Sequence, residues 1–544
     1  MWRRDYGTAR RGLACPASRR DTARPMTRFD VPAILMPEHM ALHAQRHPEK
    51  AALVCNDIVL SWGAFDRQQN QIANALRARG VGRGDKVGIL ADNSNDAVAA
   101  YFGTLKAGAA VASLPTIVTA DSLATMIADC GANLLIVSDA YLDRVDSIRD
   151  QVSVDPDAYI AIGSPPSGWQ GLDAWRNTAS DEAPPIVNQP DDEACLIYSS
   201  GTTGVPKGIV LTHYCRLNHA YLMSAEQRFN TDSVFIVTTA LHSNTAWTLL
   251  LCAFLFGATS VLMPKFDADE WCRLVERWQG TATVMVPAQY QTILDSPAAD
   301  TRDLSSLKTL ATVGSHMREG IKRRMLKKFA CGYYEVYGLT EGFATIVRPE
   351  DLPEKIVSVG RAMLGNEIRI IDDDGAPLSQ GQAGEIIGYS PILMKGYHNN
   401  PEQTKAAMWQ DPASGRTFLR SGDIGRLDKD GFLYLLDRKK DMIVSGGYNV
   451  FPADIERILG AHPGVYDLCV IGIPHERWGE TPLALIVPMP ESSPDLDAMR
   501  HWANEQLGKH QRIAVIETRD ALPRNPAGKV MKADLRKPYW QGQT

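Results

Sequence analysis

The chain has 544 residues, more than one hydrophobic core usually supports, so its length indicates at least two domains. An apolar fraction of 44% and a charged fraction of 22% are typical of a globular protein, and a net charge of −6 argues against nucleic acid as a main partner. The nine cysteines stand alone, without a CxxC pair or a His/Cys cluster, which offers no zinc motif and predicts a cytoplasmic location.

Residues 1–28 differ from the rest of the chain because they hold eight arginines and almost no apolar pattern. No apolar segment of a secretory signal is present, whereas an arginine-rich transit peptide stays open as an alternative. We predict a disordered extension, with Met26 as an alternative first residue.

From Met36 onward, short apolar runs alternate with helical patterns, which predicts α/β layers around a largely parallel sheet. The uncharged stretch Ala246–Met263 reaches the length of a membrane span, but Gly257 interrupts it. We therefore predict a buried helix over 246–256 followed by a buried strand, and no membrane span. The other predicted elements of this part are a helix over 97–107 and strands over 86–90, 134–137, 159–162, 195–197 and 209–211.

The pattern changes after Gly384. The turn signals Asp374-Gly375 and Asp430-Gly431 predict a small antiparallel, β-barrel-like region. Beyond Asp441 a short α+β pattern predicts a separate small domain. The predicted fold class is thus α/β, with a large layered N-terminal domain over 29–437 and an α+β C-terminal domain over 438–544.

The segment Tyr198–Val210 reads YSSGTTGVPKGIV and is the most informative run of the chain. Glycine N–H groups, hydroxyl donors and one lysine together suit a polyphosphate. It is not a Walker A element, because Lys207 precedes glycine and no GK[ST] ending follows. An ordinary flexible loop is the alternative. The candidate phosphate-binding residues are Ser199, Ser200, Gly201, Thr202, Thr203, Gly204 and Lys207.

This run resembles the phosphate loop of the adenylate-forming, or AMP-binding, superfamily, in its acyl-CoA synthetase branch. Four further motifs follow in the family's order. The resemblance implies ATP, Mg²⁺ and coenzyme A as the small molecules that bind. It also implies a carboxylic acid that is first adenylated and then passed to a thiol, while a mobile C-terminal domain rotates between the two steps.

The first of these motifs is Tyr337–Glu341, where a glycine precedes a hydroxyl and a carboxylate that could hold Mg²⁺ against phosphate. By resemblance, Tyr337 and Gly338 border the adenine and the acyl group. Thr340 contacts the substrate carboxylate or the α-phosphate and is a catalytic candidate together with Lys207. Glu341 is the candidate metal ligand. A Thr/Glu capping pair at a helix start is the alternative.

The second motif is Ser421-Gly422-Asp423. A carboxylate suits two adjacent hydroxyl donors because it offers several lone pairs and no competing donor. By resemblance, Asp423 accepts hydrogen bonds from the ribose. An aspartate that merely follows glycine in a turn is the alternative.

The third motif joins the charge run Asp437–Asp441 to a Gly-Gly pair. As a charge run alone it would be a solvated face. By resemblance, Arg438 faces the nucleotide, Lys440 is the hinge, and Gly446 and Gly447 leave room for the pantetheine arm of coenzyme A.

The fourth motif contains Lys529, within Pro523–Lys529. A lone lysine near a C-terminus is usually solvated, but by resemblance this one is the adenylation lysine, whose cation neutralises charge at the α-phosphate. The same context predicts a lysine acyltransferase as a partner that acts on Lys529.

Two regions depart from the family pattern or stay ambiguous. Ser315 and His316 occupy a wall of the adenine pocket where many relatives have Gly-Gly-Ala-Pro. His242 resembles the histidine beside the acyl pocket, and a structural histidine is an equal alternative. Further pocket candidates, all of which could be plain core, are Trp247, Leu250, Tyr290, Tyr334 and Phe343.

The sequence therefore predicts an ATP-dependent acyl-CoA ligase for a medium or long fatty acid. Aryl, hydroxycinnamate or ring acids as substrates, and an acyl carrier protein as the thiol, stay open as alternatives. A peptide-synthetase module would be expected to continue into a carrier domain after Lys529. The sequence makes no prediction of the oligomeric state.

Overall fold

The computed structural model describes residues 34–199, 206–315, 317–490, 492–524 and 530–540. The predicted extension 1–28 and the alternative start Met26 lie outside these residues.

The amino-terminal part confirms the predicted alternation of helices with short buried strands. Helices begin earlier than their apolar pattern, because the capping residue is polar: Ser94 accepts from the Ala97 N–H at 3.1 Å, so the helix predicted from 97 begins at 95. In order, the elements are α1 (Met36–Arg46), β1 (Ala51–Cys55), β2 (Ile58–Ser61), α2 (Trp62–Ala78), β3 (Lys86–Leu90), α3 (Asn95–Ala107), β4 (Ala110–Ser113), α4 (Ala120–Cys130), β5 (Leu134–Ser138), α5 (Leu142–Asp146), β6 (Tyr159–Ile162), β7 (Gln170–Gly171), α6 (Leu172–Arg176) and β8 (Glu193–Ser199).

The next part continues the α/β alternation and then turns into an antiparallel hairpin. In order, its elements are β9 (Lys207–Thr212), α7 (His213–Gln227), β10 (Val234–Val237), α8 (Asn244–Phe256), β11 (Thr259–Leu262), α9 (Ala268–Trp278), β12 (Ala282–Met285), α10 (Pro287–Asp295), α11 (Ala298–Thr301), β13 (Thr309–Thr312), α12 (Glu319–Lys328), β14 (Gly332–Leu339), β15 (Gly342–Val347) and β16 (Arg361–Ala362).

Two layered sheets share one core. The first has the strand order β16-β15-β14-β13-β12-β10-β11-β1-β2 and the second β19-β9-β8-β4-β3-β5-β6-β7, where β19 is Gly396–Tyr397. One apolar cluster contains Phe235 of the first sheet, Val111 of the second and the helices between them. Helix α8 is apolar on every side, so it lies inside this core and confirms the prediction of a buried helix and strand over 246–263. No helix among the described residues combines the length and apolar composition needed to cross a membrane.

A small antiparallel region follows, as the turn signals predicted. Its hairpins turn at Gly375 and Gly431, which have φ values of +83° and +81° that favour glycine. Besides β19 its elements are β17 (Glu367–Ile371), β18 (Gly384–Tyr389), α13 (Pro401–Ala406), β20 (Met408–Gln410), β21 (Thr417–Leu427) and β22 (Leu433–Arg438).

The C-terminal part has a sheet and an apolar core of its own. The α/β fold class with a large N-terminal and a small C-terminal part is confirmed, whereas the boundary at 437/438 stays a prediction. The elements here are β23 (Ile443–Ser445), β24 (Tyr448–Val450), α14 (Pro452–Leu459), β25 (Val465–His475), β26 (Gly479–Pro488), α15 (Leu496–Gln506), β27 (Val515–Thr518) and α16 (Lys532–Trp540). Short 3-10 turns occur at Asp139–Tyr141, Arg149–Gln151, Pro349–Asp351 and Lys509–Gln511.

Candidate active site

Several of the predicted site residues lie at one edge of the first sheet. Strands β10, β12, β13 and β14 run parallel, so their carboxyl ends meet at the same edge. The segment after β10 carries His242, the one after β13 carries Ser315, and the turn after β14 carries Thr340 and Glu341. This edge is where open α/β sheets commonly bind ligands.

Thr340 and Glu341 form the tip of the hairpin between β14 and β15, in which Leu339 pairs with Gly342. The alternative of a capping pair at a helix start is therefore wrong. Gly342 has φ +134°, and a Cβ there would lie 2.6 Å from the Leu393 Cα. Gly338 is similarly confined, since a Cβ would lie 2.9 Å from the Phe343 carbonyl oxygen. Both glycines thus allow the backbone to pack closely behind the tip.

A hydrogen-bonded and ionic network joins Tyr337, Asp423 and Arg438. The Tyr337 hydroxyl donates to Asp423 Oδ2 at 2.8 Å, and Arg438 Nε lies 2.8 Å from Asp423 Oδ1. The Asp423 side chain is 10% exposed. Burial, and then the Asp423 charge, raise the pKa of Tyr337 well above its usual value. The network places one hydrogen-bond donor and one guanidinium charge on a buried carboxylate beside the turn that carries Thr340.

Asp423 is not a turn residue, so that alternative is also wrong. It lies within β21 and pairs with Arg438 of β22 across an antiparallel ladder. Ser421 stabilises this point: its hydroxyl donates to the Ile386 carbonyl at 2.7 Å and accepts from the Asp423 N–H at 3.0 Å. Gly422 between them adopts φ +69°.

The two ends of the phosphate-loop motif are fixed by a strand pair. Ser199 ends β8 and pairs with Lys207, which begins β9, so the loop joins two strands as predicted. The Lys207 ammonium lies 5.6 Å from the centre of the Tyr397 ring. The Tyr397 hydroxyl in turn donates to Glu341 Oε1 at 3.0 Å. Tyr397 therefore connects Lys207 to the candidate metal ligand.

Sequence reasoning missed Tyr397. It belongs to β19, which pairs with β9 although the two are almost two hundred residues apart in the chain. No local pattern around Gly396-Tyr397 indicates a site, so only the strand pairing identifies it.

Several predicted residues lie outside the described residues. These are Ser200, Gly201, Thr202, Thr203, Gly204, His316 and Lys529, together with the acylation predicted on Lys529. Residues that flank Lys529 are described: Arg524 forms a bridge with Val530, and the Met531 N–H donates to the Pro523 carbonyl at 2.8 Å.

His242 is buried in the segment between β10 and α8. Asn93 fixes this segment, since its side chain accepts from the Leu241 N–H at 2.9 Å and donates to the Thr239 carbonyl at 2.9 Å. Neither ring nitrogen of His242 has a hydrogen-bond partner among the described residues. Burial lowers its pKa to about 4, so the ring is neutral at physiological pH. Buried polar atoms normally have hydrogen-bond partners, so two unpaired nitrogens on a buried imidazole indicate a place where a polar group of a ligand could bind.

Aromatic side chains lie close to His242. The Trp247 indole donates to the Leu241 carbonyl at 3.0 Å, and its ring packs 4.9 Å from Tyr101 and 5.8 Å from Phe102. By contrast, Tyr290 belongs to a separate apolar cluster and donates to the Ala311 carbonyl. The other pocket candidates, Leu250, Tyr334 and Phe343, are buried core residues.

The predicted hinge and glycine pair lie on exposed backbone. Lys440 is exposed, and its carbonyl accepts from Arg536 of α16 at 3.1 Å. Gly446 and Gly447 adopt φ +60° and +83° between β23 and β24. A Cβ on Gly446 would lie 2.8 Å from the Trp478 ring, whereas a Cβ on Gly447 would meet open space.

Among the described residues, no three His, Cys, Asp or Glu side chains are grouped so that they could hold a metal ion. Glu341 alone offers a carboxylate at the hairpin tip. That fits Mg²⁺, which in phosphate sites commonly takes one or two carboxylates and completes its shell with phosphate oxygens and water.

Known proteins match the chain over nearly its whole length. A family model described as AMP-binding enzyme matches residues 40–398, and one described as AMP-binding enzyme C-terminal domain matches residues 454–529. The chain is 32% identical to Indoleacetate–CoA ligase of Aromatoleum aromaticum over 504 residues, which covers 91% of this chain and 96% of that protein. It is 31% identical to Long-chain-fatty-acid–CoA ligase FadD13 of Mycobacterium tuberculosis over 494 residues, which covers 89% of this chain and 94% of that protein.

A solved structure with the same fold is the anthranilate CoA ligase AuaEII in complex with anthranoyl-AMP. Its TM-score is 0.85 at 25% identity, and the match covers 94% of this chain and 98% of that chain.

Proposed function

Since this chain belongs to the AMP-binding enzyme family and is an AMP-forming acid–CoA ligase, we propose that the carboxyl edge of its first sheet is where ATP activates the acid. The observation that carries this proposal is the network of Tyr337, Asp423 and Arg438 next to the Thr340–Glu341 tip. It offers a buried carboxylate to paired hydroxyls, beside a hydroxyl suited to phosphate and a carboxylate suited to Mg²⁺.

In this proposal Asp423 accepts the two ribose hydroxyls, and Arg438 remains close to the sugar. The Tyr337 ring and the Ser315 wall border the adenine. Asp423 suits this role because it is already oriented by its hydrogen bond and its ion pair, so little ordering is needed when the nucleotide binds.

The phosphates would extend toward Lys207, Ser199 and the segment 200–204, with Lys529 added by the family resemblance, while His316 belongs with Ser315 to the wall of the adenine pocket. Glu341 would hold Mg²⁺, which would supply charge neutralisation between the phosphates when bound. Tyr397 orients the Glu341 carboxylate and lies against Lys207, so it keeps both groups in place.

The chemistry has two balanced steps. A carboxylate oxygen of the acid attacks the α-phosphorus, and the bond to the β-phosphate oxygen breaks, giving acyl-AMP and pyrophosphate. The thiol of coenzyme A then attacks the acyl carbon, loses its proton, and AMP leaves with the bonding electron pair. No protein nucleophile is needed; positioning and neutralisation of phosphate charge account for the rate.

For the acid, we propose a medium or long fatty acid, whose alkyl chain would enter the apolar core next to His242. The FadD13 relative supports this choice by its name. A ring acid is the second candidate, because Trp247, Tyr101 and Phe102 are aromatic side chains packed next to the His242 segment. The indoleacetate and anthranilate ligases point to the same class.

For the thiol, we propose coenzyme A, with its pantetheine arm passing Gly446 and Gly447. Hinge motion at Lys440 would bring this turn to the acyl-AMP after the first step. The described cysteines are free thiols, which supports the proposed cytoplasmic location.

The test is a pyrophosphate-release assay with a panel of fatty, aryl and ring-bearing acids, run with and without coenzyme A. We expect release that depends on one acid class and acyl-CoA only when coenzyme A is present. The Lys529→Ala variant should lose acid-dependent release and still convert supplied acyl-AMP to the thioester, because the lysine is needed only at the α-phosphate.

If a thioester forms with an acyl carrier protein and not with coenzyme A, the acyl carrier protein is the thiol and the assignment of coenzyme A is wrong. A Lys529→Ala variant that keeps both steps would show that its assigned role is wrong. Absence of release with every acid would overturn the proposed acid classes and the proposed site of ATP activation.

A further inference from the structure

Asp467 in β25 is shared by two arginines that come from different parts of the chain. Arg524 Nη2 lies 2.6 Å from Asp467 Oδ2, and Arg318 Nη2 lies 3.4 Å from Oδ1. The carboxylate itself is oriented locally, because Oδ1 also accepts from the Leu468 N–H at 3.0 Å. The Asp467 side chain is 17% exposed, and the side chains of Arg318 and Arg524 are 30% and 34% exposed.

The two arginines occupy functionally distinct places. Arg318 immediately precedes α12 and follows the Ser315 wall of the candidate adenine pocket. Arg524 forms the bridge with Val530 that brackets the segment of Lys529. Asp467 therefore connects Arg318, next to the candidate adenine wall, to Arg524, whose bridge with Val530 flanks the position of the predicted adenylation lysine in the chain.

The Arg318 side chain is partly buried at this contact. Its Cδ lies 4.0 Å from where a Cβ on Gly460 would be, at the end of α14. Burial lowers the pKa of Arg318, while the charge of Asp467 opposes that shift and the charge of Arg524 adds to it. Asp467 is thus the group that makes the approach of two guanidinium groups favourable here.

The turn predicted to pass the pantetheine arm is on open surface in the same arrangement. Val444 and Tyr448 are 44% and 57% exposed, and nothing lies within 4 Å of a Cβ on Gly447. In this arrangement Arg524 is linked to Arg318 through Asp467, whereas the Gly446–Gly447 turn is exposed.

We propose that Asp467 is a positioning residue for the first half-reaction: its ion pairs with Arg318 and Arg524 hold the C-terminal part in the adenylating arrangement. The inference rests on the proposed function, which supplies the two half-reactions. Asp467 touches no substrate and acts through the placement of Lys529. It is dispensable once acyl-AMP has formed and the small part has rotated about Lys440.

The test compares the two half-reactions in Asp467→Asn, which keeps the side-chain shape and the acceptor for the Leu468 N–H. Acid-dependent pyrophosphate release should fall by about fivefold, the effect of losing a partly exposed ion pair. Conversion of supplied acyl-AMP and coenzyme A to the thioester should stay at the wild-type rate. Arg318→Gln should likewise slow pyrophosphate release and leave thioester formation unchanged. The double variant Asp467→Asn/Arg318→Gln should release pyrophosphate no more slowly than either single variant.

The matched control is Asp497→Asn, which removes an exposed ion pair with Arg500 at 3.0 Å in α15, away from Arg318. It should change neither half-reaction. Equal loss of both half-reactions in Asp467→Asn, or no loss of the first, would overturn the inference.

A second measurement keeps this inference separate from the proposed function. Limited tryptic cleavage at the exposed Lys439–Lys440 backbone, without any substrate, should be about fivefold faster in Asp467→Asn than in the wild type or Asp497→Asn. If the wild type releases no pyrophosphate but the cleavage rates differ, only the proposed function fails. If the wild type is active and the cleavage rates are equal, only the positioning role of Asp467 fails.

Discussion

Asp423 is a candidate binding residue because of the side chains that surround it. A carboxylate with a 10% exposed side chain would be costly to keep charged without partners, and here Tyr337 and Arg438 supply them. Both partners come from other strands, so the charge is stabilised by the sheet and not by its own local sequence. The network is ready for hydroxyl donors before any nucleotide binds.

At this scale we predict that Tyr337→Phe raises KM for ATP by about tenfold, because a hydrogen bond to a charged acceptor contributes roughly 1.5 kcal/mol or more. The variant retains the ring that borders the adenine, so the rise in KM for ATP can be assigned to the missing hydroxyl. KM for the acid should change by less than about twofold. Steady-state kinetics with each substrate varied in turn would check this.

The control is Tyr290→Phe, which also removes a buried hydroxyl, one that donates to the Ala311 carbonyl at 2.8 Å. It should cost stability without raising KM for ATP. If both variants weaken ATP equally, the effect of Tyr337→Phe is a general loss of stability and the network has no nucleotide role.

At the scale of single elements, the turn between β23 and β24 contains two adjacent glycines with different surroundings. Gly446 and Gly447 both have positive φ, but only Gly446 is closed off by Trp478. A side chain on Gly446 would therefore disturb packing, whereas a side chain on Gly447 would project into solvent or into whatever passes the turn.

We predict that Gly447→Leu spares acyl-AMP formation and slows thioester formation by about tenfold or more, because the added side chain would obstruct the pantetheine arm. Separate assays of pyrophosphate release and of acyl-CoA formation from supplied acyl-AMP would show the split.

Gly80→Leu is the matched control, since Gly80 has φ +79° and open space around its Cβ position. It carries the same backbone strain of about 1–2 kcal/mol and lies away from the site. A comparable loss of thioester formation in Gly80→Leu, or equal damage to both steps in Gly447→Leu, would contradict the assigned passage.

At the scale of the whole molecule, α16 is tied to the hinge. Lys532 lies 3.0 Å from Glu456 and 3.9 Å from Asp437, and the Arg536 Nη2 donates to the Asp441 carbonyl at 2.8 Å. Asp437 Oδ2 has no hydrogen-bond partner among the described residues. Burial raises the pKa of Asp437 to about 6, and Lys532 only partly opposes this. In the folded protein the Asp437 carboxyl is therefore protonated below about pH 6, and burial of its ionised form destabilises the folded state above that pH.

We predict that Asp437→Asn becomes more stable relative to the wild type as pH rises from 4 to 7. Below pH 4 the carboxyl is protonated in both the folded and the unfolded state and has no effect. Between pH 4 and 6 only the unfolded state releases the proton, so the wild type loses up to about 3 kcal/mol, and above pH 6 the difference stays constant. Thermal midpoints of both proteins at pH 4, 5, 6 and 7 would measure it.

Asp373→Asn serves as the control, because the ammonium of Lys439 lowers the pKa of Asp373 and the carboxyl is exposed. Its removal should give no gain with rising pH. A stability difference between Asp437→Asn and the wild type that does not depend on pH would contradict the role of burial at Asp437.

Much of the fold can be predicted from the sequence, and individual elements show the physical reason. The strand over Lys86–Leu90 and the buried helix before Thr259 are continuous apolar runs, and such runs can be placed only inside a layered core. The hairpins at Gly375 and Gly431 follow from Asp-Gly pairs that tolerate positive φ. The Thr340–Glu341 pair was ambiguous, since a hydroxyl followed by a carboxylate suits a helix start as well as a hairpin tip.

The sequence by itself determined the family, the order of its motifs and the residue types at the candidate site, because spacing along the chain is a local property. Only the tertiary structure decided which of these residues meet: that Asp423 faces Tyr337 and Arg438, that Tyr397 connects Lys207 to Glu341, and that Asp467 lies between Arg318 and Arg524. The physical reason is that such contacts depend on strand order and register, which bring together residues far apart in the chain.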